Sequence, residues 1–536
     1  MSAFPHVDSV AGASRSDRLR DGFLRGGRVL SLAPGIDGDA VWWQAGRVRA
    51  VGNAATLERN LSPETPRYDL PGTWITPGFV DGHTHFATWA LGRRRVQLAG
   101  VRTRAEALDR VRAAGVEAGW VLGQGWDANR WEAPPDRWAL DAVRKEPVYL
   151  DSLDVHGAWL NTAALKAAGI DRSSVDPFGG RIVRDANGEP TGLLLERAVE
   201  LALPALPVPP DNLLDAALRE AQAEAHRLGV TGIHDVETEA VLAAFRRLEN
   251  QGALRLRVLF HPPVAALNRL IASGMQSGQG SDWLRIGGVK LFLDGSLGKQ
   301  TAWMLEPYEG SRECGMPISA FEQAREAIQT ASQVGIAATV HAIGDAAVRR
   351  ALDLLEYAPR VAIPHRIEHL QCVHPDDLGR AARLGVVASM QPAHLLTDIP
   401  LIDRYWGSRG AGAYAFRSLL DQGTAVAFGS DVPVAPLDPR EGIYAALARR
   451  ADDDSPSGGW RSEEALGFET ALRLYTEGCA RAAGNAGHRG RLAPGMDADL
   501  VAWELDGASL AAGEAAAFRQ ARARLTVVDG EVLMQA

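Results

Sequence analysis

Alternating apolar and polar positions mark short strands at the two ends of the chain. Near the N-terminus they occupy residues 27–52, and the same pattern returns at residues 490–503 and 525–533. A period of two indicates strands with one buried face. Neither end has enough strands for a sheet that is stable alone. The sequence therefore predicts that residues 1–74 and 486–536 pair into one small β-sandwich.

Between the two ends, short continuous apolar runs alternate with longer amphipathic stretches. This alternation is typical of β–α units that build a parallel sheet, whose strands are buried on both faces. One such run ends at His85, and seven more follow it: Val230–Val236, Leu256–His261, Leu284–Leu293, Ala337–His341, Arg366–Leu370, Val386–Gln391 and Thr424–Asp431. Eight strands close a TIM-like (β/α)8 barrel, which we predict over residues 75–485.

Residues 86 to about 225 exceed what the barrel needs and are predicted to form an inserted subdomain after barrel strand 1. They contain strand-like runs of their own, such as residues 147–153. An insertion at this point lies over the mouth of the barrel, where it shapes the substrate pocket. Trp126, Trp131 and Trp138 are candidates for an aromatic wall there, although buried aromatic side chains more often simply pack.

Six candidate metal ligands stand within or at the ends of the barrel runs. His83 and His85 are two residues apart on one strand, so their side chains point the same way and can hold one ion together. The others, from four later runs, are Lys290, His341, His369 and Asp431. Ligands at the carboxyl ends of parallel strands meet at one edge of a barrel, and imidazole suits zinc and similar cations. The set predicts metal-assisted hydrolysis.

Lys290 is the unusual member of this set, because an ammonium group cannot bind a cation. It lies within an apolar strand, where an unmodified charge is strongly destabilised. Reaction of its amine with CO2 gives a carbamate, whose two oxygens can bridge two metal ions. The alternative is an ordinary lysine that forms a salt bridge with Asp294 or with another acid.

The composition is that of a globular protein with a substantial core, since 46% of the 536 residues are hydrophobic and 23% are charged. A net charge of −9 without a basic stripe argues against nucleic acid as a partner. Cys314, Cys372 and Cys479 are far apart and predict neither a disulfide framework nor a cysteine zinc site. We expect a cytoplasmic protein without a membrane segment, because no apolar run approaches the ~18 residues of a span.

Seven motifs follow one another along the chain: Thr76-Pro-Gly-Phe-Val-Asp-Gly-His-Thr-His85, Gly288-Val-Lys-Leu-Phe-Leu-Asp-Gly-Ser-Leu-Gly298, Val340-His-Ala-Ile-Gly-Asp345, Arg366-Ile-Glu-His-Leu-Gln371, Ser389-Met-Gln-Pro-Ala-His394, Phe428-Gly-Ser-Asp-Val-Pro433 and Pro494-Gly-Met-Asp-Ala-Asp-Leu500. In this order they resemble the amidohydrolase superfamily. Their finer pattern is similar to its YtcJ-like branch, which includes N-substituted formamide deformylase. The resemblance runs from about residue 27 to the end of the chain.

That resemblance implies two zinc ions per chain and hydrolysis of a non-peptide carbon–nitrogen bond, in a linear amide or an N-substituted formamide. The implied ligands of the first zinc are His83, His85 and Asp431. Those of the second are His341 and His369, and carboxylated Lys290 bridges the two. A metal-activated hydroxide is the implied nucleophile, with Asp431 as the general acid/base that passes its proton to the departing amine. Glu368 faces away from His369 and is expected to be a packing or supporting partner.

Two other functions remain open at this point. A mononuclear deaminase of an amino-heterocycle would use His83, His85, one further histidine and Asp431 around a single ion. A non-catalytic binding protein on the same fold is the second alternative, since fold does not fix function. Metal stoichiometry distinguishes the deaminase, and the effect of Asp431→Ala distinguishes the binding protein.

The substrate is expected to be a small molecule, and three residues are candidates to contact it: His156, His394 and Trp126. His156 lies in a stretch, Asp154–Asn161, that is also typical of the YtcJ-like branch. His394 follows the seventh barrel strand. For both histidines a structural role is an equal alternative. Assembly into a homo-oligomer is also open, because such assemblies are common.

Overall fold

The computed structural model describes residues 20–451, 455–511 and 513–536. Its strands are β1 Gly22–Val29, β2 Ala40–Gln44, β3 Arg47–Gly52, β4 Arg67–Pro77, β5 Phe79–Thr84, β6 Val96–Gln97, β7 Val121–Trp126, β8 Val148–Ser152, β9 Gly157–Leu160, β10 Gly180–Arg184, β11 Pro190–Glu196, β12 Val230–Val236, β13 Arg257–His261, β14 Leu284–Ile286, β15 Val289–Phe292, β16 Ala338–Ala342, β17 Arg366–His369, β18 Val387–Met390, β19 Ala425–Phe428, β20 Leu500–Glu504, β21 Arg522–Val528 and β22 Glu531–Gln535.

The α-helices of the same residues are α1 Ala54–Leu57, α2 Phe86–Gly92, α3 Arg104–Ala113, α4 Arg137–Asp141, α5 Thr162–Ala167, α6 Asp211–Arg227, α7 Glu239–Asn250, α8 Leu267–Ala272, α9 Phe321–Gln333, α10 Asp345–Glu356, α11 Arg380–Leu384, α12 Leu395–Tyr405, α13 Phe416–Asp421, α14 Pro439–Ala448, α15 Phe468–Arg473, α16 Cys479–Ala482 and α17 Gly507–Ala511. The longest, α6, buries Leu214, Leu218, Ala221 and Ala225, which share one helical face. Among the described residues, no helix has both the length and the apolar character that a membrane crossing requires.

Strands from the two ends of the chain form one seven-stranded sheet, in the order β22-β21-β20-β4-β1-β2-β3. Strand β4 joins the two ends, because it pairs in parallel with β1 and antiparallel with β20. Leu24 and Val41 from one end share a hydrophobic cluster with Leu500 and Val527 from the other. The ends therefore meet in one sheet. The two-layer sandwich and the domain borders stay predictions, and residues 1–19 of the N-terminal segment lie outside the described residues.

Parallel strands form the centre of the fold. They lie in a four-stranded sheet, β14-β13-β12-β5, and a five-stranded sheet, β15-β16-β17-β18-β19. Isolated bridges link the two sheets, from Pro263 to Lys290 and from Thr84 to Val432. These strands correspond to the predicted apolar runs, except that the run 284–293 is divided into β14 and β15. The α/β class is as predicted, whereas closure into a barrel stays a prediction.

Close approach of the backbone explains where that run divides. A Cβ on Gly287 would lie 2.5 Å from a ring carbon of His261, so only glycine fits beside this buried histidine. His261 accepts the N–H of Gly288 at 3.0 Å and therefore serves as a structural partner of the backbone. Strand β15 resumes one residue later and carries Lys290.

The segment between β5 and β12 contains a separate six-stranded sheet, in the order β10-β11-β9-β8-β7-β6. Trp126, Trp131 and Trp159 pack in its core, with ring centroids between 5.7 and 6.4 Å apart. Trp138, by contrast, is 47% exposed. The predicted common wall of Trp126, Trp131 and Trp138 is therefore wrong, because two of these rings are buried inside the insertion while the third faces solvent.

Candidate metal centre

The carboxyl ends of the parallel strands bring predicted ligands into one buried group. His83 stands near the end of β5, His369 ends β17, and Asp431 follows β19. One ligand atom from each of these three residues lies within 4.8 Å of the others. The Oδ1 of Asp431 is 3.3 Å from the Nε2 of His83 and 3.3 Å from the Nε2 of His85. Side chains that are far apart in the sequence therefore converge as predicted.

His341 lies directly beside this group. Its ring centroid is 4.5 Å from that of His369, and it is fully buried. Its Nε2 is 3.3 Å from the carbonyl oxygen of Gly295. Its other ring nitrogen, Nδ1, has no hydrogen-bond partner among the described residues. Of the predicted second ligand pair, His341 and His369 are therefore neighbours.

Lys290 is buried on β15, and its Nζ lies 4.8 Å from the centre of the Phe292 ring. Burial lowers the pKa of Lys290 to about 8, although the negative charges of Glu368 and Asp431 act in the opposite direction. No salt bridge joins Lys290 to Asp294 in the described part of the chain. Asp294 instead accepts three backbone N–H groups at 2.8 to 3.0 Å. The alternative of a Lys290–Asp294 pair is therefore wrong.

Three buried atoms at this centre have no hydrogen-bond partner among the described residues: Nε2 of His83, Nδ1 of His341 and Oδ1 of Asp431. A buried polar atom without a partner is destabilising, so such atoms call for an explanation. All three belong to groups that bind divalent cations, and two imidazole nitrogens with a carboxylate oxygen match the preference of zinc. The atoms of His83 and Asp431, together with His369 in the same group, therefore fit a bound metal ion.

The charge states of the ligands suit the same role. Burial above all, with help from neighbouring positive charges, holds the pKa of His341 and of His369 well below its usual value, so both imidazoles are neutral at pH 7. Burial alone would raise the pKa of Asp431, but attraction to His83 and His85 leaves that pKa well below its usual value. Neutral imidazole and ionised carboxylate are the forms that ligate metals, so His85, whose pKa burial would lower but Asp431 raises, has to be in its neutral form to bind a metal ion.

Partners on the far side of each ring fix the orientation of the histidines. The Nδ1 of His83 is 2.5 Å from Glu368, that of His85 is 2.7 Å from the carbonyl oxygen of Val236, and that of His369 is 2.8 Å from the side-chain oxygen of Gln391. Each contact leaves Nε2 directed toward the centre, the arrangement by which proteins orient metal-binding histidines.

Glu368 is the buried carboxylate in this supporting layer. It lies between His83 and Arg366, whose Nε is 2.5 Å from Oε1. Burial alone would raise the pKa of Glu368, but Arg366 and His83 together hold it well below its usual range. Glu368 therefore supports a ligand as an ionised group, in agreement with the expectation that it is not a base.

The backbone at the centre is also held by a buried acid. Asp81, on β5, accepts the N–H of His83 at 3.1 Å and that of Ser430 at 2.8 Å, so it ties the first ligand strand to the loop that carries Asp431. His369 and Asp431 have φ values of +71° and +59°. Residues other than glycine rarely adopt this region, and strain of this kind concentrates at functional sites.

The two candidate pocket histidines reach the centre from opposite elements. The His156 ring, from the insertion, is 5.1 Å from that of His341, and its Nδ1 lies 2.6 Å from Glu196. The Nε2 of His394 lies 3.1 Å from the carbonyl oxygen of Ser430 and 4.0 Å from the Oδ2 of Asp431. Both histidines therefore border the space beside the ligands.

Trp126 does not line the site. Its side chain is 1% exposed, and its indole N–H donates to the carbonyl oxygen of Leu150 at 2.8 Å within the insertion. Lys299 covers its ring with Nζ 4.6 Å from the centroid. The structure therefore does not bring Trp126 to the centre, and its contact with substrate stays a prediction.

Two residues of the site were not predicted from the sequence. Glu196 is the last residue of β11 and pairs with His156. A carboxylate that directly follows the apolar residues 193–195 is the signal that could have pointed to it. Gln391 directly follows β18 and lies inside one of the seven motifs, but no spacing rule connects it to His369.

Comparison with known proteins identifies the family. Residues 68–534 match the profile of the Amidohydrolase family. The chain belongs to this family. It is 31% identical to the putative amidohydrolase YtcJ of Bacillus subtilis (strain 168) over 522 residues, which cover 94% of this chain and 97% of that protein. It is 27% identical to the N-substituted formamide deformylase of Arthrobacter pascens over 523 residues, which cover 92% of this chain and 94% of the relative. The predicted membership and its YtcJ-like branch are confirmed.

Solved structures agree with this assignment. An uncharacterized metal-dependent hydrolase from Pyrococcus horikoshii OT3 superimposes with a TM-score of 0.75 at 28% identity, covering 90% of this chain and 97% of that one. The corresponding hydrolase from Pyrococcus furiosus gives a TM-score of 0.72 at 29% identity, covering 90% and 98%. The family and these neighbours support a hydrolase that depends on a metal.

Proposed function

We propose that this protein hydrolyses a non-peptide carbon–nitrogen bond of a small molecule, in a linear amide or an N-substituted formamide. The observation that carries the proposal is the convergence of Asp431 with His83 and His85, each at 3.3 Å, around buried atoms that have no other partner. The Arthrobacter pascens relative, whose name states deformylation of N-substituted formamides, supports the substrate class.

Two zinc ions would be held by all six predicted ligands. We assign His83, His85 and Asp431 to the first ion, His341 and His369 to the second, and carboxylated Lys290 to the bridge. Carboxylation is supported by the burial of Lys290 and by its pKa, which burial lowers to about 8 although Glu368 and Asp431 act in the opposite direction. The modification replaces a buried positive charge with an anion that two cations stabilise.

When bound, zinc acts as a Lewis acid toward the substrate carbonyl and lowers the pKa of bound water. Asp431 is the proposed general base that takes a proton from the attacking water and, as general acid, gives it to the departing nitrogen when the carbon–nitrogen bond breaks. Its ionised state suits the first of these steps. The Nε2 of His394 lies 4.0 Å from the Oδ2 of this carboxylate.

Two further parts of the proposal concern the fold and the location. We take the two parallel sheets as halves of one TIM-like barrel, which the bridges at both junctions support. A cytoplasmic location is supported by Cys314, Cys372 and Cys479, which are all free thiols in the structure.

Metal analysis joined to a substrate screen tests the proposed function. We expect two zinc ions per chain by mass spectrometry of the purified protein, and turnover of simple amides or formamides in a panel that includes lactams and amino-heterocycles. A chelator should abolish that turnover, and added zinc should restore it. One ion per chain with turnover only of amino-heterocycles contradicts the proposal and indicates the deaminase. Metal binding without any turnover favours the non-catalytic alternative.

A further inference from the structure

A buried carboxylate links the inserted sheet to the loop that follows β15. Glu196 is 7% exposed, and its Oε2 lies 2.6 Å from the Nδ1 of His156. Its other oxygen, Oε1, accepts the hydroxyl hydrogen of Thr301. The hydroxyl oxygen of Thr301 in turn accepts the backbone N–H of Ser296 at 3.0 Å. Both oxygens of Glu196 are therefore held, one by each of the two elements.

The backbone strengthens this arrangement. The N–H of Glu196 donates to the carbonyl oxygen of His156 at 2.9 Å, so the two residues are joined through main chain and side chain together. Glu196 has a φ of +52°, a conformation that residues with a side chain rarely adopt. Such strain persists only where surrounding contacts hold the residue in place, and it concentrates at functional sites.

The contact with Glu196 fixes how the His156 ring is presented. A carboxylate only accepts hydrogen bonds, so the Nδ1 of His156 carries a hydrogen and donates it. Because the two nitrogens lie on opposite sides of an imidazole ring, Nε2 is directed away from Glu196. The ring lies beside the proposed ligand His341, with centroids 5.1 Å apart, and near Phe292 at 6.4 Å. Nε2 is therefore the ring nitrogen of His156 that is available to contact a substrate.

His156 and His394 stand at opposite ends of a row of rings. Successive centroid distances are 5.1 Å from His156 to His341, 4.5 Å from His341 to His369, and 6.3 Å from His369 to His394. The His394 end lies near Asp431, which in the proposed reaction protonates the departing nitrogen. If the amine leaves past Asp431, the His156 end is left for the other half of the substrate, the acyl group.

We propose that Glu196 is a positioning residue that turns the Nε2 of His156 toward the acyl half of the substrate, with Thr301 holding Glu196 in place. This inference rests on the proposed amide hydrolysis and deepens it. It assigns acyl selectivity to the insertion and amine selectivity to the end of the site near His394.

A double-mutant cycle tests the coupling between the two residues. Glu196→Gln keeps the size of the side chain but removes the charge, and its amide can turn a donor toward Nδ1. We expect Glu196→Gln and His156→Ala each to lower kcat/KM by about 10- to 100-fold, the usual effect of removing the partner of a site histidine. The double variant should lose no more than His156→Ala alone, because Glu196 acts through His156.

Rates with two series of substrates, one varied in the acyl group and one in the amine, distinguish a positioning role of Glu196 from general structural damage. In Glu196→Gln, the ratio of kcat/KM for a formamide to that for the matching acetamide should change, while the preference among amine substituents should not. Thr301→Val should give a smaller loss in the same direction. Glu464→Gln is the matched control, because Glu464 is also buried and hydrogen-bonded, to Ser418 at 3.0 Å, but contacts none of these residues. Its kinetics should equal those of the wild type.

Proton NMR of histidine-labelled protein gives a readout that needs no turnover. The Nδ1 hydrogen of His156 should give a downfield resonance that is absent in Glu196→Gln and in His156→Ala, with metal content and melting temperature measured for each variant. Additive losses in the double variant, or a resonance unchanged by Glu196→Gln, would overturn the inference. Absence of amide turnover in the wild type would overturn the proposed function and the acyl assignment, but the resonance would still report the contact between Glu196 and His156.

Discussion

The two ends of the parallel strands both bury charged groups, but they satisfy them differently. At the carboxyl ends, the Nε2 of His83 and the Oδ1 of Asp431 have no hydrogen-bond partner among the described residues. At the amino ends, Arg257, the first residue of β13, donates to both oxygens of Asp499 at 2.6 and 3.0 Å. Arg257 is fully paired as it stands, whereas the ligand atoms at the other end call for a cation.

The amino end holds what we call the lower ion cluster: Arg257, Asp497, Asp499 and Asp529. Arg257 lies 3.5 Å from Asp497 and 3.5 Å from Asp529, in addition to its bonds with Asp499. These acids flank strands of the terminal sheet, so the cluster fastens that sheet to the parallel strands. Side chains at this end of such folds serve stability, whereas those at the carboxyl end serve chemistry. The complete pairing of Arg257 with these acids therefore fits a structural role, whereas the unpartnered ligand atoms at the carboxyl ends fit a functional one.

The largest expected effect comes from the incomplete end. Asp431→Asn should lower kcat/KM by about 10³-fold or more, because it removes a metal ligand and the proposed general acid/base together. Zinc content should fall as well. In chelator, the free energy of unfolding should also fall, because a carboxylate whose pKa is well below its usual value stabilises the fold at pH 7. Activity assays, metal analysis and urea unfolding check this, and wild-type activity in the variant would contradict it.

A variant of the lower ion cluster should show a different pattern, a loss of stability without a loss of activity. Arg257→Ala should lower the free energy of unfolding by about 3–5 kcal/mol, because it leaves the buried carboxylate of Asp499 without the arginine that donates to both of its oxygens. The folded fraction should keep the wild-type kcat/KM, since Arg257 belongs to the other end of the strands. Arg269→Ala is a control, because Arg269 and its partner Glu239 form an exposed pair and its loss should stay below about 1 kcal/mol. Equal effects of both variants on unfolding would refute the distinction.

The strand positions and the ligands that share one strand face could be predicted, because both follow from the local spacing of residues. The predicted run Val230–Val236 coincides with β12, all seven residues of which are buried. His83 and His85 converge on Asp431 because a period of two puts both rings on one face and parallel strands end at one edge. These inferences need only the geometry of the strand.

The features that depend on distant partners were not predictable. Asp497 and Asp499 lie in a motif quoted from the sequence, yet nothing local indicates that they bind Arg257, more than 200 residues earlier. The partner of His156, likewise, is on a different strand of the insertion. The aromatic wall that included Trp126 was predicted wrongly for the same reason, because burial of a ring depends on how the inserted sheet folds. The sequence pattern predicts where a side chain lies along a strand or helix, but tertiary packing determines which residues it contacts.

The smallest expected effect concerns Asp499 of the lower ion cluster, whose contribution to stability should depend on pH. Burial alone would raise the pKa of Asp499, but Arg257 and Arg489 leave it below its usual value. A carboxyl group whose pKa is lower in the folded than in the unfolded protein stabilises the fold above its unfolded pKa of about 3.9, and this contribution is lost as the pH falls through the folded value. Asp499→Asn should therefore lower the free energy of unfolding by about 1–3 kcal/mol at pH 7, and the difference from the wild type should shrink below about pH 4. Urea unfolding in chelator from pH 7 to pH 3 measures this without any contribution from the metal centre. A constant difference across that range would show that the charge of Asp499 does not hold the two sheets together.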